Sequence, residues 1–216
     1  MPPPVVSVVG ESKSGKTTFI EKMVSELSSR GYRVATIKHV PQDMAFDKPD
    51  KDSWRHLEAG SQATLISSRD KMVLIRPTAS PVALADLARL LGDGYDIILA
   101  EGFKQDEAPK IETHRREVGL PLAGLKKLVA IVTDEPLETR ARQFALTDIK
   151  GVADLLERGF IKPQRERLSL YINNKPVVLA AFPRKIITSI LLAIASSLKG
   201  VGRVASLEIS LRKKTD

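Results

Sequence analysis

The 216-residue chain contains no cysteine. Disulfides, thiolate zinc sites, iron–sulfur clusters and cysteine nucleophiles are thereby excluded. Histidine is nearly as scarce, with three in the chain, too few for a dedicated histidine metal site. Aromatic residues make up only 5%. No long apolar run is present either. Residues 186–198, the most apolar stretch, are interrupted by Thr188, Ser189, Ser196 and Ser197 and are too short to span a bilayer. The start, Met1-Pro2-Pro3-Pro4, lacks the basic-then-apolar order of a signal peptide. These absences lead to the expectation of a soluble, cytoplasmic protein with no membrane partner. What is present is 43% apolar residues, enough for one ordinary domain and a small addition.

The net charge of +8 is unevenly spread. Residues 167–216 hold nine Lys/Arg and two acids, Glu208 and Asp216, whereas residues 1–166 are nearly balanced. A basic tail fits nucleic acid, an acidic partner, a phosphorylated ligand, or a solvated face with no specific partner. Base-stacking aromatics there are limited to Tyr171 and Phe182, and no RNA-binding motif is visible, so a nucleic-acid partner is not expected.

The chain is organised around Gly10-Glu11-Ser12-Lys13-Ser14-Gly15-Lys16-Thr17. This is G-x-x-x-x-G-K-[ST], the phosphate-binding loop. Glycine allows close backbone approach, so successive N–H groups can wrap a polyphosphate. Lys16 is expected to reach the β- and γ-phosphates and Thr17 to hold Mg²⁺. Thr18 continues the cradle into the following helix, whose positive end faces the same anion. Context agrees with the motif. Val5–Val9 is a β-branched strand signal, Phe19, Met23, Val24 and Leu27 follow at helical spacing, and Gly31 stands at a C-cap position.

Further along, residues 32–38 read as a second strand and residues 40–55 as a long functional loop, with Asp52 or Ser53 capping a short helix. Residues 63–67 and 72–75 read as a hairpin, and Pro81 as the start of a helix carrying Leu84, Leu87, Leu90 and Leu91. Tyr95–Gly102 is an apolar strand with an acid near each end. A metal-assisting acid must lie at the C-terminal end, level with the phosphate loop, which selects Glu101 over Asp96. Gly102 beside it lets backbone approach a phosphate. Lys110–Glu112 reads as a short strand and Leu128–Val132 as a buried one ending in Thr133-Asp134. Asp134 is a candidate guanine reader, because a carboxylate accepts both N1–H and N2–H₂; the alternative is a helix cap or turn residue. Thr147-Asp148 opens a helix, residues 159–167 suit a linker, and a hairpin, a helix and a returning strand over 204–211 follow. The expected fold is therefore α/β: a mostly parallel sheet of the P-loop NTPase kind, flanked by helices, over residues 1–160. A small basic β-β-α-β unit follows over 167–216.

Several stretches together resemble the molybdopterin-guanine dinucleotide biosynthesis adapter (MobB) family. They are Gly15-Lys16-Thr17-Thr18, Ile37-Lys38-His39, Lys51-Asp52-Ser53-Trp54-Arg55-His56, Ile98–Lys104, and Pro109-Lys110-Ile111-Glu112 leading to Arg115. The resemblance spans about residues 5–135. It implies a homodimeric GTP-binding protein, with Mg²⁺, that assists the guanylyltransferase joining GMP to molybdopterin and hydrolyses GTP weakly. Two departures fall in one loop, where Val40-Pro41-Gln42-Asp43 replaces a histidine-richer sequence and Asp50 replaces a glycine.

Two roles then compete. In a GTP·Mg²⁺ adapter, Lys16, Asp52 and Glu101 form the reactive centre. Lys38, Lys51, Arg55, Lys104 and Lys110 would face an anionic second ligand such as molybdopterin. In a P-loop small-molecule or nucleotide kinase, Asp52 would be the base and Lys104, Arg115 and Arg116 a lid.

Overall fold

The structure is a computed structural model that describes residues 3–40, 50–164, 168, 170–173, 175–204 and 207–209. The chain divides into two compact units, Pro2–Gln164 and Arg165–Asp216.

The larger unit runs β1 (Val5–Val9), α1 (Lys16–Ser29), β2 (Val34–Lys38), α2 (Asp52–Glu58), β3 (Thr64–Ser67), β4 (Met72–Ile75), α3 (Leu84–Leu91), β5 (Ile97–Glu101), β6 (Lys110–Thr113), β7 (Leu128–Thr133), β8 (Arg142–Ala145) and α4 (Ile149–Leu156). Six strands form one sheet in the order β2-β5-β1-β6-β7-β8. Every neighbouring pair in it is parallel. The central strand β1 therefore lies between β5 and β6, and all strands end on one edge, where the phosphate loop begins.

Both sheet faces are covered, which is why the central strands read as near-continuous apolar runs. On one face Val6 and Val8 pack with Phe19, Ile20, Met23 and Leu27 of α1 and with Val152 and Leu156 of α4. On the other, Ala35 and Ile98 pack with Ala88 of α3. Each fully buried Val, Leu, Ile, Phe or Met side chain among them contributes about 1.5–3 kcal/mol. Helix α1 ends in a Schellman motif: Tyr32 N–H donates to Leu27 O (3.1 Å) and Gly31 N–H to Ser28 O (2.9 Å). Gly31 supplies the left-handed φ of +87° that this stop requires.

The hairpin β3–β4 forms its own antiparallel sheet. Its side chains Leu65, Ile66, Met72, Val73 and Leu74 are exposed. The helix expected from Pro81 starts only at Leu84, and it buries Leu84 and Ala88 while Leu90 and Leu91 stay exposed. Lys51, not Asp52 or Ser53, occupies the N-cap of α2, with no side-chain cap bond.

Residues 159–164 are helical rather than a linker. A π turn, Glu157–Ile161, and a 3₁₀ turn, Lys162–Gln164, extend α4. Burial of Ile161 in the core and a charged cluster hold this extension. Arg30 at the end of α1 donates to Asp154 (2.6 Å), Glu157 (2.9 Å) and Glu26 (2.9 Å), and Lys162 pairs with Glu157 at 2.7 Å. Lys162, then Arg30 and the Tyr32 hydroxyl, hold the Glu157 carboxyl down from 4.5 to about 2. A depressed carboxylate stabilises the fold above its unfolded value and stops doing so as pH falls through its folded value. Thermal melts of wild type and Glu157→Gln should therefore differ by a constant gap at pH 5–7. The gap should close between pH 4.5 and about 2. A gap that persists to pH 2 would remove the cluster from this account.

In the smaller unit, β9 (Leu170–Ile172) and β10 (Lys175–Val177) pair as an antiparallel hairpin. Helix α5 (Ala181–Ser197) follows. The returning strand expected over 204–211 is not formed by Val204 or by residues 207–209; its other members lie outside the described residues. Among the described residues no helix is long and apolar enough to cross a membrane.

Candidate nucleotide site

The phosphate loop leaves β1 at Gly10 and enters α1 at Gly15, its N-cap. Gly10 (φ +153°), Lys13 (φ +64°) and Gly15 (φ +92°) all take left-handed backbone conformations. No side chain caps the first turn of α1, so its N–H groups are left for an anion. Ser14 holds the loop from behind: its N–H donates to Glu11 O (3.2 Å) and its hydroxyl meets the Thr113 hydroxyl at 2.9 Å. Glu11, Ser12, Lys13, Thr17 and Thr18 are exposed around it.

Lys16 lies back across the loop, donating to Gly10 O (3.2 Å) and Glu11 O (2.7 Å). Burial pulls its ammonium below the ordinary lysine value, while Glu101 acts in the opposite direction. Thr17 Oγ1 donates to Glu101 Oε1 at 3.0 Å. The other carboxylate oxygen of Glu101 faces Lys38 Nζ at 3.6 Å. Strand direction explains the selection of Glu101: Asp96, at the opposite end of the strand, accepts from Arg33 N–H (2.8 Å) and pins the start of β2. Gly102 (φ +96°) is abutted by His39, whose Cβ would stand 3.2 Å from a Cβ built there.

Three of the expected site residues fare differently. Asp52 is exposed, and its one ion pair among the described residues is with Arg55 at 3.9 Å. No hydrogen bond or ion pair joins it to Lys16, Thr17 or Glu101. Lys110, expected to face an anionic ligand, is fully buried, and its ammonium donates to the carbonyls of Asp106 and Ala108. Lys104 is committed to Glu11 at 3.1 Å.

Beyond the loop, a pocket of about 540 Å³ opens at the ends of β7 and β8, lined by Thr133, Asp134, Glu135, Phe144, Ala145 and Leu146 among others. Asp134 stands at its rim, with Oδ1 accepting from Arg116 N–H at 3.0 Å. Half of this pocket comes from β8 and the turn after it, which sequence reasoning passed over. The missed signal is Phe144 and Leu146 alternating just before the Asp148 cap, where a strand must feed α4.

Comparison with known proteins decides the family. Residues 5–134 match the family model described as MobB, Molybdopterin guanine dinucleotide synthesis protein B. The chain belongs to the MobB family. It is 39% identical over 156 residues to the Molybdopterin-guanine dinucleotide biosynthesis adapter protein of Haemophilus influenzae, covering 71% of this chain and 88% of that one. It is 33% identical over 160 residues to the protein of the same description in Escherichia coli, covering 71% and 91%. A solved MobB homologue from Bacillus stearothermophilus superposes with a TM-score of 0.57 at 28% identity, covering 74% of this chain and 99% of that one. The family-model match takes in the phosphate loop, Glu101, Thr113, Arg115 and Asp134 and ends before β8 and α4, while the alignments to the two relatives are longer, at 156 and 160 residues.

Proposed function

We propose that this MobB-family adapter works by binding GTP with Mg²⁺ on the loop Gly10–Thr18. The observation that carries the reading is the 3.0 Å hydrogen bond from Thr17 to Glu101 beneath that loop. It brings a hydroxyl and a carboxylate from residues far apart in sequence to the helix start where phosphates bind. These are hard oxygen donors, few enough to leave Mg²⁺ most of its waters and its phosphate ligands, so the donor set fits that ion. When bound, Mg²⁺ supplies charge neutralisation at the phosphates. Lys16 neutralises the phosphates from the loop side. Asp134, at the rim of the adjoining pocket, retains acceptor capacity for a guanine edge. Among the described residues the base candidate Asp52 makes no hydrogen bond or ion pair to the loop, so the binding role rests on Lys16, Thr17 and Glu101.

The same reading makes the protein a partner of the guanylyltransferase that joins GMP to molybdopterin, with molybdopterin as a second ligand. The exposed apolar hairpin β3–β4 supports a homodimer.

The test is a titration of wild type and Asp134→Ala with GTP and ATP, with and without Mg²⁺, on a sample whose mass is read by light scattering. Mg²⁺-dependent preference for GTP, reduced about tenfold or more in the variant, and a mass of two chains are expected. Equal affinity for both nucleotides would remove Asp134 as the base reader, and a monomer would remove the dimer.

A further inference from the structure

We propose that Arg115 is a nucleotide-binding residue, a built-in clamp for the α- and β-phosphates of a nucleotide seated on the phosphate loop. The proposal rests on the loop being a nucleotide site and assigns a residue to it.

The assignment begins with strand alternation. Side chains two apart share a face, so Thr113 and Arg115 point the same way and His114 the other. His114 is buried on the far side and meets Glu135 at 2.9 Å. Thr113 meets Ser14 of the loop at 2.9 Å. Arg115 consequently emerges over the loop itself. A Cβ built on Gly15 would lie 3.4 Å from Nε, 3.7 Å from an Nη nitrogen and 4.0 Å from Cζ of Arg115. The guanidinium therefore rests against the glycine that heads α1.

The segment is held from both sides. Arg116 N–H donates to Asp134 at 3.0 Å and Val118 N–H to the Arg115 carbonyl at 3.0 Å. Arg115 thus stands between the loop and Asp134, between the place for phosphates and the place for a base.

Charge supplies the reason for a ligand. The first turn of an α-helix carries partial positive charge. Pressing a guanidinium against it without a close anion is unfavourable. Among the described residues the one ion pair of Arg115 is long, 3.9 Å to Glu117, whose side chain is 72% exposed. Such a pair does little to offset the repulsion. An anion placed between guanidinium and helix start turns both terms favourable, and the planar fork matches phosphate oxygens two at a time.

Topology decides which phosphates. Thr17 and Glu101 meet on the β5 side of β1, whereas Arg115 arrives from β6, on the opposite side. It reaches the polyphosphate from the base-pocket side, away from the Mg²⁺ donors, and so contacts the α- and β-groups and not the γ-group.

Calorimetric titration of wild type, Arg115→Ala, Arg115→Lys and Lys16→Ala with GTP and with GDP tests this. Arg115→Ala should weaken GTP and GDP alike, by about 10- to 100-fold, and Arg115→Lys should recover part of the loss. A loss confined to GTP would overturn the assignment in favour of a γ-phosphate contact. No loss for either nucleotide, with Lys16→Ala still defective, would overturn the proposal while leaving the nucleotide site intact. Failure of wild type to bind either nucleotide would overturn both.

Discussion

Lys16→Ala is expected to weaken Mg²⁺·GTP binding by about 100-fold or more, the usual cost of removing one partner from a desolvated charge pair. The fold should survive the change. Among the described residues Lys16 donates only to Gly10 O and Glu11 O, two carbonyls of its own loop, and takes no part in the core. Its ammonium is already drawn below the ordinary lysine value by burial, so it gains by acquiring a phosphate counter-charge. A melting temperature near that of wild type, together with lost GTP binding, is the expected pair of results. Unchanged affinity would remove the phosphate loop from the functional account.

Gly10→Ala should cost stability as well as binding. At φ +153° an L side chain is strained, and the new Cβ would come 2.3 Å from Thr113 O, 2.5 Å from Ser14 Oγ and 3.0 Å from Thr113 Oγ1. Thr113 O belongs to β6, whose ladder with β7 cannot shift without losing hydrogen bonds. Backbone strain and overpacking together should cost about 3 kcal/mol or more. For a domain of this size that lowers the melting temperature by about 6–12 °C. Gly31→Ala is the matched control. It has a left-handed φ of +87° but open space around the new Cβ, so it should cost only about 1–2 kcal/mol. Equal melting temperatures for the two variants would show that the contact with β6 is not tight.

Much of the candidate site's geometry was legible because motif and direction act locally. The phosphate loop names its own strand and helix, and strand polarity alone distinguishes Glu101 from Asp96. What escaped depends on long-range placement. Edge strand β8 has a single half-buried aromatic, Phe144, in a polar setting, so it lacks the apolar run that marks a central strand. Residues 159–167 combine charges with Pro163 and read as a linker, yet 159–164 are helical. Their structure comes from Ile161 and from Arg30, which is more than 100 residues away in sequence. Lys110 looks like a ligand-facing cation, yet its ammonium is consumed by two carbonyls of the preceding loop. The position of Arg115 over Gly15 follows from strand register, which single-residue chemistry does not reveal.

The strand order has a consequence for synthesis. Strand β1 is made first, but its sheet neighbours are β5 and β6; the next strand made, β2, pairs with β5. The chain must extend by about 90 residues, from Val5 to Ile97, before β1 can find a partner. Until then an apolar, β-branched segment waits without an edge to join. Pairings of this sequence separation are slow to close and leave unpaired strands open to association in the meantime. The last of the three strands that surround the phosphate loop must leave the ribosome before that loop has a shape. Nucleotide should therefore act on the finished domain, slowing its opening, and not on the early chain.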